Sequence, residues 1–256
     1  MLATKVSRDV PAGRESLKLA LYDDLMVIPY PKQRIALLET KTPGRLLIHE
    51  IYRSLQGEST YAGLPCVFVR TTVCGQRCVW CDTPHAFVEG EEIAADELLS
   101  HVLAYNCPLV ELTGGEPLLQ TEVHPLMTAL ADAGKTVLLE TGGAEDIAQV
   151  DRRVHIIMDL KCPDSGECER NRFENLEHLK SKDEIKFVIA SRRDFDWTVE
   201  TIRKHKLDQR HSVLLSAVHD SVALVELADW ILASRLDVRM QLQMHKFIWG
   251  AKSRGV

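Results

Sequence analysis

The 256-residue sequence has no run of about 18 consecutive apolar residues, so no part of it reads as a membrane-spanning helix. A leader is not visible either, because the apolar stretch from Leu17 to Tyr30 is broken by Lys18, Asp23 and Asp24. The formal net charge of −6 comes without a strongly acidic or basic tail. Nothing therefore suggests a grip on a nucleic-acid backbone, and a small-molecule substrate is expected. Internal repeats and low-complexity segments are missing. The ten histidines include no HxxxH-type pair on a helix. What remains, 45% hydrophobic and 27% charged, is ordinary for a globular protein with one large core.

The seven cysteines are Cys66, Cys74, Cys78, Cys81, Cys107, Cys162 and Cys168. Their number is odd and three of them cluster. In a cytoplasmic protein, the expected setting here, clustered cysteines mean metal or catalysis more often than disulfides.

Residues 1–44 carry no motif and read as an N-terminal extension to a domain over 45–256. From Leu46 onward, strand and helix patterns alternate. Strands are expected over 46–52, 65–71, 109–113, 136–140, 154–161, 184–190, 212–217 and 238–244. Helices are expected over 94–105, with Leu98, Leu99, Val102 and Leu103 on one face, and over 122–133, 172–180, 196–205 and 222–234. Such alternation implies βαβ units around a mostly parallel sheet. About six units are too few to close an eight-stranded barrel. The expected fold is α/β, an open partial (β/α) barrel with its chemistry at the C-terminal strand ends.

Two motifs fall at such ends. The first is Cys74-Gly-Gln-Arg-Cys78-Val-Trp-Cys81-Asp82-Thr83, a C-x3-C-x2-C loop after a strand. Iron–sulfur cubanes usually take four protein thiolates, so three leave one iron open to a reactant. S-adenosylmethionine (SAM) can fill that position through its amino and carboxylate groups. Trp80, just before the third cysteine, fits the same reading. A zinc knuckle completed by Cys66, His85 or Cys107 is the alternative. The second motif, Thr113-Gly114-Gly115-Glu116-Pro117, follows the next strand of the pattern. Its glycines allow close backbone approach, and Glu116 can accept from the SAM ammonium. Alone, the motif could be a turn with Pro117 opening a helix.

With these motifs the chain resembles the 7-carboxy-7-deazaguanine synthases, radical SAM enzymes of queuosine and 7-deazapurine biosynthesis. The resemblance spans 46–256. It rests also on Leu55-Gln56-Gly57-Glu58, on Arg70, on Cys81-Asp82-Thr83 and on the tail Leu242-Gln243-Met244-His245-Lys246-Phe247. It implies a [4Fe–4S] cluster on Cys74, Cys78 and Cys81, SAM, and Mg²⁺ on Thr83. It also implies an electron donor such as flavodoxin or ferredoxin, and a homodimer. The reaction implied is ring contraction of 6-carboxy-5,6,7,8-tetrahydropterin to 7-carboxy-7-deazaguanine with loss of ammonia. Substrate contacts are implied at Leu55, Gln56, Gly57, Arg70 and Thr113. SAM contacts are implied at Trp80, Cys81, Asp82, Gly115, Glu116, Asp159, Leu160, Lys161 and Ser216.

The residue chemistry suits these roles. An arginine can clamp a carboxylate bidentately, although Arg70 could equally serve a structural ion pair. A threonine hydroxyl is a hard ligand for Mg²⁺, although Thr83 could equally cap a helix. Cys162 and Cys168 are too few for a second cluster and read as free thiols. A glycyl-radical-enzyme activase shares both motifs and is the rival enzyme class; a non-enzymatic metal-binding module is the other rival. Four positions depart from the family pattern: Ser59 and Val73 stand where glycine is common, Ala217 follows Ser216 where proline is frequent, and Gly142 replaces an asparagine.

Overall fold

The structure is a computed structural model that describes residues 31–251 and 253–256. Residues 1–30 of the expected N-terminal extension lie outside the described residues. Two short helical turns come first, α1 (Pro31–Arg34) and α2 (Ala36–Glu39). Nine strands follow: β1 (Arg45–Leu55), β2 (Pro65–Thr71), β3 (Glu91–Ala94), β4 (Leu109–Gly114), β5 (Thr136–Thr141), β6 (His155–Asp159), β7 (Glu184–Ile189), β8 (Ser212–Ala217) and β9 (Arg239–Met240). The longer helices are α3 (Ala95–Ala104), α4 (Val123–Asp132), α5 (Arg192–His205) and α6 (Leu224–Ser234), and a short α7 (Met244–Trp249) closes the chain. Among these, no helix is long and apolar enough to cross a membrane.

The strands form one sheet in the order β3-β1-β2-β4-β5-β6-β7-β8-β9. Pairing is parallel from β2 through β9 and antiparallel on both sides of β1. The sheet ends on β3 and β9 without closing, as an open barrel requires.

Side chains alternate across a strand, and this period of two divides each strand between two tasks. Val67, Val69, Val110, Leu112, Val137, Leu139, Ile156 and Met158 point outward into the main core, where the helices cover them. The intervening residues Cys66, Phe68, Leu109, Leu138 and Ile157 form a smaller apolar layer inside, with Tyr52 stacked on Phe68. One step further along the same strands, and on β7, the inward residues become Arg70, Glu111, Thr113, Glu140, Asp159 and Lys186, all lining one cavity.

Helix ends follow local chemistry. The Ser191 hydroxyl caps α5 by accepting from the Asp194 amide, and Arg203, Lys204 and His205 face the negative end of its dipole. The helix expected over 172–180 is instead a 3-10 turn, Phe173–Glu177. Its fully buried Asn175 bonds Gly143 O, Glu145 O and Ile147 N of the β5–β6 loop, which fixes the segment to that loop. The strand expected over 238–244 is cut to two residues, because Gln241 and Gln243 turn away to bond Ser59 O and Glu58. Two of the departures from the family pattern, Ser59 and Val73, have φ of 62° and 80°. These are left-handed conformations that glycine adopts without strain.

Candidate active site

The cavity at the strand ends has a volume of about 530 Å³, within the range of small-molecule sites. The cysteine loop leaves β2 and is sewn to the end of β4. Gly115 N donates to Thr71 O at 3.0 Å and Glu116 N to Val73 O at 2.8 Å. A β-carbon on Gly115 would stand 2.1 Å from Val73 O, so the approach needs glycine. Cys74, Cys78 and Cys81 all line the cavity.

Their thiols are not gathered at single-ion spacing. Ligands of a single zinc crowd around it at bond lengths near 2.3 Å. Among the described residues, the one trio of such groups within 4.8 Å of one another is His49, Glu50 and His85, and it contains no cysteine. Among the described residues no such group joins Cys66, His85 or Cys107 to the loop cysteines. Burial pushes the Cys74 thiol up to about 12 and Cys78 up to about 11. Such thiols keep their protons until a metal displaces them.

Thr83 immediately precedes a 3-10 turn, Pro84–Phe87, yet its side chain makes no cap bond. Its Oγ1 lies 3.8 Å from Cys81 Sγ and faces the cavity. Arg70 donates from Nε to Glu50 at 2.7 Å and from Nη2 to the Tyr52 hydroxyl at 3.1 Å. Burial lowers its pKa, but Tyr52 and Glu50 outweigh burial and hold the guanidinium charged. Among the described residues Arg70 Nη1 has no protein partner, so the ion-paired guanidinium still presents a donor to the cavity. Burial pushes the Tyr52 hydroxyl up to about 12.

Gln56 is buried, with Nε2 donating to Glu111 and Oε1 accepting from Glu58 N at 3.1 Å. Gly57 is pinned beneath the tail. Met244 N donates to Gly57 O at 3.0 Å, and a β-carbon on Gly57 would lie 2.4 Å from His245 Nδ1. Lys246, one residue on, pairs with Asp82 at 2.8 Å. Burial opposes ionisation of Asp82, but Lys246 outweighs it and draws the carboxyl below its usual range. The C-terminal residues from Ser253 to Val256 complete the wall.

Leu55, Thr113, Trp80, Gly115, Asp159 and Lys161 also line the cavity, and Lys161 pairs with Asp159 at 2.9 Å. Three residues sit behind the wall. Leu160 is fully buried, and Ser216 is 1% exposed with Oγ unpartnered among the described residues. Glu116 is 2% exposed and accepts from Leu118 N, Thr141 Oγ1 and Gly142 N at 3.2, 2.9 and 2.8 Å. Burial raises its pKa to about 7.

Sequence reasoning missed a group on the same wall. Lys186 pairs with Glu58 at 2.9 Å, with Glu140, and with Asp159 at 3.8 Å. Burial works against its charge, but Glu140 and Glu58 prevail and its pKa lies well above the ordinary lysine value. Burial and the charges of Glu140 and Glu58 push Glu111 well above the usual carboxylate range. The available signal was a charged residue at an inward position of an otherwise apolar strand, as in Glu184-Ile-Lys186-Phe.

The profile of the radical SAM superfamily matches residues 68–208. The 7-carboxy-7-deazaguanine synthase of Koribacter versatilis is 47% identical over 225 residues, covering 82% of this chain and 99% of its own length. That of Chlorobaculum tepidum is 44% identical over 218 residues, covering 84% and 99%. The crystal structure of QueE from Escherichia coli shares the fold, with a TM-score of 0.66 at 22% identity over 80% of this chain and 97% of that one. The chain belongs to the radical SAM superfamily and, within it, to the 7-carboxy-7-deazaguanine synthases.

Proposed function

We infer that the protein is a radical SAM lyase that converts 6-carboxy-5,6,7,8-tetrahydropterin to 7-carboxy-7-deazaguanine and releases ammonia. Family membership supplies the reaction class. The observation that carries the substrate is Arg70, a charged guanidinium with a free donor at the edge of the cysteine loop. A cluster and SAM held there would supply the radical chemistry; this chain orients the pterin and excludes water.

Cys74, Cys78 and Cys81 hold the cluster in this reading. Leu55, Gln56, Gly57, Arg70 and Thr113 receive the pterin. Arg70 takes the carboxylate, and the Gln56–Glu111 pair presents a polar edge to the ring. Trp80, Cys81, Asp82, Gly115, Glu116, Asp159, Leu160, Lys161 and Ser216 form the SAM side. Leu160, Ser216 and Glu116 serve it through backbone groups or by holding the wall. The Thr83 hydroxyl, which makes no helix-cap bond, would hold Mg²⁺ as a hard oxygen ligand.

The partners follow from the same reading. A one-electron donor such as flavodoxin or ferredoxin would approach beside the exposed Val79 of the cysteine loop. The apolar side chains Val225, Leu232, Phe247 and Ile248 are exposed on α6 and α7 and suit a homodimer contact. All seven cysteines are free, which fits a reducing cytoplasm. The chain divides into an extension over 1–44 and a catalytic domain over 45–256.

Anaerobic reconstitution followed by turnover with the carboxytetrahydropterin tests the assignment. Formation of 7-carboxy-7-deazaguanine is expected. Reductive SAM cleavage that leaves the pterin unchanged would overturn it and favour an activase.

A further inference from the structure

The resemblance that assigned the site begins at Leu46. Residues 34–40 lie ahead of that stretch, and their contacts run to the cysteine loop. Arg34 Nη1 donates to Gly75 O at 3.1 Å and to Glu167 Oε1 at 2.7 Å. The same Glu167 oxygen accepts from Arg77 N at 2.7 Å, and Oε2 pairs with Arg170 at 2.9 Å. Gly75 and Arg77 lie between the first two cluster cysteines. Val79 N donates to Ser165 O at 3.0 Å, which ties the loop to the same neighbouring segment. Three residues after Arg34, Leu37 packs on the apolar group of Cys74, Phe87, Val88 and Cys81.

The ion pair is not a surface one. The Arg34 and Glu167 side chains are 13% and 5% exposed. A charge-assisted bond away from water is stronger than an exposed pair. It also reaches a backbone carbonyl of the loop, so it fixes main-chain position as well as charge. Leu37 closes the adjoining side with hydrocarbon.

We propose that residues 34–40 form a cover over the cluster loop. Arg34 is a positioning residue that holds Gly75, Arg77 and Glu167 in one arrangement, and Leu37 keeps water and small solutes from Cys74 and Cys81. The inference rests on reading Cys74, Cys78 and Cys81 as cluster ligands.

Arg34→Ala, Arg34→Lys and Leu37→Ser in the full chain test it with two readouts. The first is the rate at which a ferrous chelator strips iron from the anaerobically reconstituted protein. Arg34→Ala and Leu37→Ser should lose iron several-fold faster than the parent, and Arg34→Lys should recover part of the difference. The second is hydrogen exchange in the metal-free chain, which reports local opening. The Arg77 amide should exchange several-fold faster in Arg34→Ala, with the core strands unchanged. Parent rates of both iron loss and exchange in Arg34→Ala and Leu37→Ser would overturn the cover. A parent protein that binds no iron would defeat the cluster reading instead, and exchange at Arg77 would still decide the Arg34 contact. A variant that assembles no cluster is decided by the same exchange measurement.

Discussion

Lys186 on β7 donates to Glu58 at 2.9 Å across 128 residues of sequence, joining the loop after β1 to the opposite cavity wall. Glu140 and Asp159 face the same ammonium. Lys186→Met should therefore leave buried carboxylates without their cation. Breaking a buried pair by removing one partner costs about 3–5 kcal/mol. Urea unfolding of the metal-free chain measures it, and a loss below about 1 kcal/mol would mean that water already screens the group.

The same pair sets an acid limit. Burial pushes the Glu58 carboxyl up, but Lys186 outweighs it and draws the pKa from 4.5 to about 2. A carboxyl depressed in the folded state stabilises above its unfolded pKa and loses that contribution as pH falls through the folded value. Stability should drop between pH 4.5 and about 2, and Glu58→Gln should flatten that part of the curve. The raised pKa of Lys186 contributes nothing to this window, because its ammonium is charged in both states there. Chemical denaturation at stepped pH gives the curve; equal slopes in parent and variant would count against the assignment.

Arg70→Ala should raise the pterin concentration needed for half-maximal rate, because a hydrogen bond to a charged group is worth about 1.5–3 kcal/mol. Thr83→Ala should weaken the response to Mg²⁺. Both variants should keep the parent iron content, since neither residue is a cluster ligand. Product formation against pterin and Mg²⁺, with uncoupled SAM cleavage in parallel, separates the effects. Parent-like curves for both would leave the enzyme class standing and sink the two roles.

The cysteines offer a sharper contrast. Cys74→Ala, Cys78→Ala or Cys81→Ala should each abolish iron retention. Cys162 is buried with Sγ 3.5 Å from Thr198 Oγ1, and Cys168 lies near Asn171. Neither lines the cavity, so Cys162→Ala and Cys168→Ala should hold the parent iron content. Stoichiometric iron loss in either would call for a second metal site.

Much of this architecture was legible because its signals are local. Short apolar runs announced β2 and β4, and the spacing of Leu98, Leu99, Val102 and Leu103 announced α3. The cysteine loop and the Gly114–Gly115 turn were legible because their chemistry is local. What escaped was set by distant partners. Asn175 bonds a loop some thirty residues away, and Gln241 reaches Ser59, |i−j| of 182. Residue type alone could not signal that Glu116 turns away from the cavity to Gly142, nor that Lys186 gathers three acids from separate elements. The positive φ of Ser59 and Val73 was equally hidden, since nothing in those residue types demands it.

Glu116 yields the last prediction, because its burial and its three acceptor bonds act in opposite directions. Burial is the larger influence and raises its pKa from 4.5 to about 7, against the bonds from Gly142 N, Leu118 N and Thr141. The folded chain therefore binds this proton more tightly than the unfolded chain. Stability is full below about pH 4.5, declines as pH rises from there, and levels off above about 7. The span from 4.5 to 7 corresponds to about 3 kcal/mol as an upper figure. Glu116→Gln should remove this slope, since an amide does not titrate. It should also loosen Gly142, because one amide oxygen cannot accept all three bonds. The two effects are separable. The slope is read from urea unfolding of the metal-free chain between pH 5 and 8, and the loosening from hydrogen exchange at Gly142 at fixed pH. A parent protein whose stability is flat from pH 5 to 8 would show that Glu116 is ionised throughout and that Gly142, Leu118 and Thr141 outweigh burial.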